Sequence, residues 1–316
     1  MKPPRIDLIR RPTPLHRLNR LSGELNVDLW IKRDDLTGFA MGGNKGRKLE
    51  FLMADIVAGN VDVVVTCGAA QSNFVRQLGA ACAVLGVRCA AAIMAMPFDV
   101  ENPCVVRTLG MKGNLVLDKI LGIDLRTFPD GTWDQLYDHA EKLAMEFADQ
   151  GLNVYRVPVG GSSPLGAYGF YEAAKEIDQA FDCIVFASSS GSTHVGLAYG
   201  FAGTSTRILG IACDPEPEIA NDFAALAQSV RVYIPDGPDL KAADFDLDFG
   251  YVGPGYGIAS EAGDAAIERL ARSEGIFLDP IYTGKAFAGL LDLVQSGRLG
   301  GRILFWHTGG TPALFV

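Results

Sequence analysis

The run Val61-Asp62-Val63-Val64-Val65-Thr66-Cys67 constrains the fold most. A β-branched, nearly continuous apolar stretch of this length suits a strand covered on both faces, and such strands belong to parallel sheets. Parallel strands need crossovers, so helices must lie between them. The surrounding sequence supplies that alternation. Strand signals at Val27–Arg33, Cys89–Met96, Asp124–Phe128 and Val154–Val159 alternate with helical signals from Lys45 to Gly59, Phe74–Leu85 and Trp133–Gln150. A second series follows: helix Ala167–Ala180, strand Cys183–Ala187, helix His194–Phe201, strand Arg207–Ala212, helix Ile219–Ser229, helix Ser260–Gly275, a helix opening near Asp279–Lys285, and strand Arg302–Trp306. Asp236–Tyr256, rich in Gly, Pro and Asp, is expected to be a long structured connection over a site. The fold class is therefore α/β, with open parallel sheets and helices on both faces.

In 316 residues there is room for two domains or one large α/β unit. The net charge of −9 disfavours nucleic acid or an anionic membrane as the main partner. Residues 1–18 lack the apolar run of a signal peptide, and no other segment would span a bilayer. Cys67, Cys82, Cys89, Cys104, Cys183 and Cys213 show no metal-ligand spacing. They are expected to be reduced core residues of a cytoplasmic protein, and no metal site is expected.

Ligands of such folds bind beyond the carboxyl ends of the strands. In Ser188-Ser189-Ser190-Gly191-Ser192-Thr193, a buried strand runs into a polar turn and a helix, which suits a phosphate, although a capped βα loop would read the same way. It is no Walker loop, and Lys285 in Thr283-Gly284-Lys285-Ala286 lacks the upstream glycine. At Gly42-Gly43-Asn44-Lys45-Gly46-Arg47-Lys48, a tight turn opens into a helix. Lys45 and Lys48 stand one helical turn apart at the positive end of the dipole, where cations are disfavoured. Both could be solvated surface lysines. Alternatively, Arg47, Lys48 and the helix terminus make Lys45 a nucleophilic amine beside an anion site.

A phosphate site with a deprotonable lysine is the chemistry of pyridoxal phosphate. Gly43-Asn44-Lys45-Gly46-Arg47-Lys48-Leu49-Glu50, Gln71-Ser72-Asn73 with Arg76-Gln77, Ser190-Gly191-Ser192-Thr193, Tyr282-Thr283-Gly284-Lys285 and Gly309-Gly310-Thr311-Pro312 occur in one order. Together they resemble the 1-aminocyclopropane-1-carboxylate (ACC) deaminase / D-cysteine desulfhydrase family of pyridoxal-phosphate enzymes. The resemblance covers nearly the whole chain. It implies a tryptophan-synthase β-like fold (fold type II), with a large cofactor-binding domain of residues 1–48 and 158–316, a small domain of 49–157, and a homodimer.

By the same resemblance, Lys45 holds the cofactor and Lys48 joins Ser190, Gly191, Ser192 and Thr193 on its phosphate. Ser72 and Asn73 match residues that bind the substrate carboxylate, Asn73 also the ring oxygen, and Tyr256 and Tyr282 match two active-site tyrosines. ACC deaminases carry Glu and Leu where this chain has Thr283 and Thr308, whereas desulfhydrase-like members have hydroxyls at both. A neutral hydroxyl at the pyridine nitrogen favours expelling a good β-leaving group over opening a cyclopropane ring. Phe74 departs from the polar residue usual after Ser-Asn, which bears on recognition of the amino-acid substrate. The implied activity is sulfide elimination from D-cysteine, with L-cysteate sulfo-lyase second, ACC deaminase third, and outside the class a non-catalytic protein that binds pyridoxal phosphate or another phosphorylated metabolite.

Of the remaining candidates, His194 and His307 are read as structural, Cys67 as an unreactive buried thiol, and Asp34 and Asp35 as ion-pair anchors of the lysine turn. Trp30, Trp133 and Trp306 are expected in the core.

Overall fold

The computed structural model describes residues 2–95 and 110–316. Met96, at the end of one expected strand, and Cys104 lie outside the described residues. In chain order the elements are β1 (Leu15–Arg17), α1 (Asn19–Leu25), β2 (Asp28–Arg33), α2 (Lys45–Ala58), β3 (Val63–Ala69), α3 (Asn73–Leu85) and β4 (Arg88–Met94). Next come α4 (Asn114–Ile120), β5 (Asp124–Thr127), α5 (Trp133–Asp149), β6 (Val154–Arg156), α6 (Pro164–Ala174), β7 (Cys183–Ser188) and α7 (Ser192–Gly200). The last six are β8 (Arg207–Ala212), α8 (Ile219–Val230), β9 (Asp246–Asp248), α9 (Glu261–Glu274), α10 (Thr283–Gln295) and β10 (Arg302–His307).

Two sheets result. One has the order β1-β2-β10-β7-β8-β9 and the other β5-β4-β3-β6. Pairings are parallel except for the antiparallel β1–β2 edge. Side chains on successive residues of a strand point to opposite faces. In β10, Ile303 and Phe305 accordingly pack with Leu290 of α10 and Leu270 of α9, while Leu304 and Trp306 pack with Phe170 of α6 and Leu197 of α7. Likewise in β3, Val63 and Val65 join Phe147 of α5, and Val64 joins Leu78 of α3 and Leu52 of α2. β3 starts two residues later than expected, since Val61 is half-buried and Asp62 exposed, and it runs on to Ala69 with all seven of its residues buried.

The departures from expectation have local causes. β6 stops at Arg156, because Pro158 has no N–H for the ladder and a 3₁₀ turn at Val159–Gly161 follows. α6 starts at Pro164 rather than Ala167: Ser163 caps it by accepting from the Gly166 N–H, and proline suits the first helical position. Within Asp236–Tyr256, β9 adds to β8 with the single apolar residue Leu247, too short a pattern to read. Trp133 is corrected from core to cavity wall: it is half-buried and meets Tyr256 edge-on, with ring centroids 5.6 Å apart. Trp306 is fully buried and Trp30 half-buried. Among the described residues, no helix is long and apolar enough to cross a membrane.

Candidate active site

The carboxyl ends of β3, β7, β8 and β10 converge on a cavity of about 430 Å³ whose wall includes Lys45, Lys48, Ser72, Asn73, Asp214 and Thr308. Lys45 is the first residue of α2. The turn before it is strained: Ala40, Met41, Gly42 and Gly43 all have positive φ, at 44°, 65°, 76° and 117°. For Ala40 and Met41 the left-handed region costs about 1–2 kcal/mol each. A Cβ on Gly42 would fall 1.8 Å from the Asp35 carbonyl oxygen, so only glycine fits. Backbone bonds from Gly43 to Asp34 (2.8 Å) and from Asn44 to Thr308 (2.9 Å) hold the turn against this strain.

Below the turn lies a buried ionic network. The Asp34 carboxylate accepts from Arg47 Nε and Nη2 (both 2.7 Å), Thr13 Oγ1 (2.8 Å) and Trp306 Nε1 (2.8 Å). Arg47 also pairs with Glu176 at 2.7 Å, and Glu176 pairs with Lys32 at 2.7 Å. Although burial opposes it, bonding to Arg47 and Lys32 holds Glu176 down to about 2. The ion-pair reading of both aspartates thus agrees with the structure. Asp34 pairs with Arg47, in the first turn of α2, and Asp35 with Arg33.

At the cavity, Lys48 Nζ donates to the Gly160 carbonyl at 3.0 Å, and neither lysine makes an ion pair among the described residues. Burial pulls Lys45 down to about 8, and burial together with the neighbouring Lys45 pulls Lys48 well below its ordinary value. Only the neutral amine attacks a carbonyl. Reaction of the protein with an aldehyde is therefore expected to accelerate as pH rises and to level off just above about pH 8, rather than climbing on towards pH 10. A stopped-flow rate still rising steeply between about pH 9 and pH 10 would contradict the assignment.

Beyond the lysines stands the Ser188–Thr193 loop. Gly191 has φ +96°, and a Cβ there would press the Phe223 ring at 2.5 Å. Ser162 donates to the Ser190 carbonyl and accepts from the Ser192 N–H at 3.1 Å, while Asn44 Nδ2 donates to Thr193 Oγ1 at 3.2 Å. Ser192 Oγ is buried without a hydrogen-bond partner among the described residues. The amides opening α7 add donors at the positive end of the helix. Two uncompensated lysines, an unused hydroxyl and a helix terminus make a receptor for an anion.

Ser72 caps α3, accepting from the Val75 N–H at 3.3 Å. Asn73 Oδ1 accepts from Arg76 Nη1 at 2.7 Å and from Asn114 Nδ2 at 3.1 Å. Its amide oxygen is thus occupied on the protein side and its NH₂ is left as a donor for the cavity. Phe74 is a buried apolar piece of wall, its ring lying where a Cβ on Gly161 would stand.

The hydroxyls of Tyr256 and Tyr282 lie 2.6 Å apart, and burial pushes both phenols above their ordinary value. Lys285 Nζ braces the Tyr256 loop by donating to the carbonyls of Val252 and Gly255, both at 2.8 Å. Thr308 lines the cavity. Thr283 instead stands behind the wall, where its hydroxyl donates to Asp279 Oδ1 (2.6 Å) and accepts from the Asp279 N–H (2.8 Å). Asp279 also accepts from the N–H groups of Ile281, Tyr282 and Thr283 and so caps α10. Four further carboxylates, Asp134, Asp214, Glu216 and Asp222, line the cavity. Burial and Glu216 push Asp214 up to about 7.

Of the residues set aside, His194 stands on the cavity wall, while His307 and Cys67 are buried and are not among its lining residues. His194 Nδ1 lies 3.2 Å from Ser188 Oγ, and burial pulls the ring down to about 4, so it is neutral. His307 Nδ1 accepts from the Gly309 N–H, which fixes Nε2 as donor to the Phe277 carbonyl at 2.9 Å. Burial pushes Cys67 up to about 12. Of the residues that sequence reasoning missed, Asp279 carried a signal, an Asp four positions before the start of α10; Asn114 and the carboxylates on the wall carried none.

Residues 6–309 match the family model described as pyridoxal-phosphate dependent enzyme. Proteins named D-cysteine desulfhydrase from Yersinia enterocolitica and Klebsiella pneumoniae are each 43% identical over 330 residues, spanning 99% of this chain and 96% of theirs. A crystal structure of an ACC deaminase homologue superposes with TM-score 0.90 at 36% identity, over 99% of this chain and 94% of that one. O-ureido-L-serine synthase, at TM-score 0.66 and 19% identity over 96% of this chain and 90% of that one, shares the fold.

Proposed function

We propose, from the premise that this chain belongs to the family of pyridoxal-phosphate-dependent enzymes, that it eliminates hydrogen sulfide from D-cysteine, leaving pyruvate and ammonia. The observation that carries this reading is the 43% identity, over 99% of the chain, to proteins named D-cysteine desulfhydrase. The cavity fits the cofactor. Its uncompensated lysines and the orphaned Ser192 hydroxyl suit a phosphate, and the deprotonable Lys45 suits an aldehyde.

When bound, pyridoxal phosphate supplies an electron sink for the pair left behind at the amino acid's α-carbon. In our reading Lys45 Nζ would hold the cofactor and, as a free amine, would take the substrate's α-proton. Lys48 and the Ser190–Thr193 loop bind the phosphate. Ser72 and the Asn73 NH₂ bind the substrate carboxylate, and Asn73 the ring oxygen. Tyr282, hydrogen-bonded to Tyr256, holds the proton that leaves with the sulfur. Of the two threonines we assign Thr308 to the ring nitrogen, because the Thr283 hydroxyl is spent on Asp279.

The carboxylates of Asp134, Glu216 and Asp222 weigh against a substrate with an added sulfonate, which supports D-cysteine over L-cysteate. Pyruvate release from D-cysteine, L-cysteine, L-cysteate, D-serine and ACC, with sulfide and sulfite assayed separately, tests the proposal. Sulfide from D-cysteine, with little turnover of the others, is expected. Brisk ACC deamination without turnover of any sulfur substrate would overturn it.

We further propose that residues 1–48 with 158–316 form one domain around the larger sheet and 49–157 a second around the smaller. The five described cysteines are buried free thiols, which supports a cytoplasmic setting. The homodimer is proposed on the family resemblance.

A further inference from the structure

We infer that Arg76 is a positioning residue that locks the strained turn of Lys45 to the helix carrying Asn73, so that the cofactor-holding lysine and the substrate-binding asparagine are placed by one guanidinium. Arg76 is in the first turn of α3 and is almost fully buried. Its Nε donates to the Ala40 carbonyl at 3.0 Å and its Nη2 to the Gly42 carbonyl at 3.2 Å. Those carbonyls belong to the left-handed stretch that leads into Lys45. On its other side, Nη1 donates to the Asn73 amide oxygen at 2.7 Å and to the Asn114 amide oxygen. None of these hydrogen bonds goes to a carboxylate. The five N–H groups are used as a planar fork for four neutral oxygens, a task a lysine cannot perform.

The neighbouring Gln77 grips the same turn, and its side chain makes no hydrogen bond to the Asn73 side chain among the described residues. Its Nε2 donates to the Gly42 carbonyl at 3.1 Å, and its Oε1 accepts from the Gly46 N–H at 2.8 Å, one residue after Lys45. Asn114 does the converse, donating to Asn73 Oδ1 and to the Gln71 carbonyl. Three residues thus divide two tasks: Gln77 holds the lysine turn, Asn114 holds Asn73, and Arg76 does both. Backbone held in a sparsely populated conformation persists only where its surroundings over-determine it. Here the over-determination comes from the helix that begins at Ser72 and Asn73.

The inference rests on the roles of Lys45 and Asn73 proposed above. Its test uses the holoenzyme and the variants Arg76→Lys, Gln77→Ala and Asn114→Ala, with cofactor release followed by loss of the visible band and KM separated from kcat. Arg76→Lys is expected to speed cofactor release about tenfold or more and to raise KM for the amino acid. Gln77→Ala should speed release more than it raises KM, and Asn114→Ala should raise KM more than it speeds release, since Asn73 meets the ring oxygen as well as the substrate carboxylate. If Arg76→Lys fails to fold, the opposite responses of the other two variants still carry the test. Variants that lower melting temperature yet leave release and KM as in the parent would overturn the inference, since a merely structural role predicts that result. Failure of the underlying reading is distinguishable, because then Lys45→Ala would itself retain the parent's visible band.

Discussion

Lys45→Ala is expected to give a folded protein that has lost the visible band of bound cofactor, and with it elimination activity by about a thousandfold or more. Lys45 is the first residue of α2, so no intrahelical N–H bond depends on its side chain. Its ammonium makes no ion pair among the described residues and is destabilised by burial, so its removal strands no opposite charge, and its side-chain partner Lys48 keeps the Gly160 carbonyl. Alanine is also the best helix former. Folding is thus expected to be retained or improved, while Lys48 is freed of a neighbouring charge that depresses it. Absorbance spectra and thermal melts of parent and variant check both halves. A variant that retains the band and the activity would remove Lys45 from the chemistry.

The largest effect on stability is expected from Arg47→Met, at about 3–5 kcal/mol by denaturant unfolding. The substitution leaves Asp34 without the guanidinium that supplies two of its hydrogen bonds, inside a fully buried site where, among the described residues, only the side chains of Thr13 and Trp306 still donate to its carboxylate. Glu176 loses a partner as well but keeps Lys32. Adding Asp34→Asn should recover part of the loss, because the stranded charge is then gone. A double variant as unstable as the sum of its singles would contradict this account. The network also sets the acid response. With its folded pKa lowered from 4.5 to about 2, Glu176 adds stability that is full above its unfolded value and disappears as pH falls towards about 2. The parent should therefore lose stability over that window more steeply than Arg47→Met.

Long, strongly patterned elements were legible in the sequence. β3 announces itself through a nearly continuous β-branched run and α5 through its helical period. β1, β9 and α4 do not, because three to seven residues leave no period to detect and their stability comes from the elements they join. The glycine turn, Ser72 at a strand end and the Ser/Gly/Thr loop could be located because their local sequence dictates local geometry. Which threonine enters the cavity could not, since that depends on the bond from Thr283 back to Asp279. Trp133 and the carboxylates Asp134, Glu216 and Asp222 come together only when α5 of one sheet faces α8 of the other. Arg76 and Gln77 were visible as part of a motif, but their target, a carbonyl more than thirty residues earlier, was not.

The most direct test of the account is to reduce the cofactor-loaded enzyme with borohydride, which fixes the cofactor to the amine holding it, and to map the modified residue by peptide mass spectrometry. The account predicts the pyridoxyl group on Lys45, with Lys48 and Lys285 unmodified. A pyridoxyl group on Lys48 or Lys285, with Lys45 free, would contradict it.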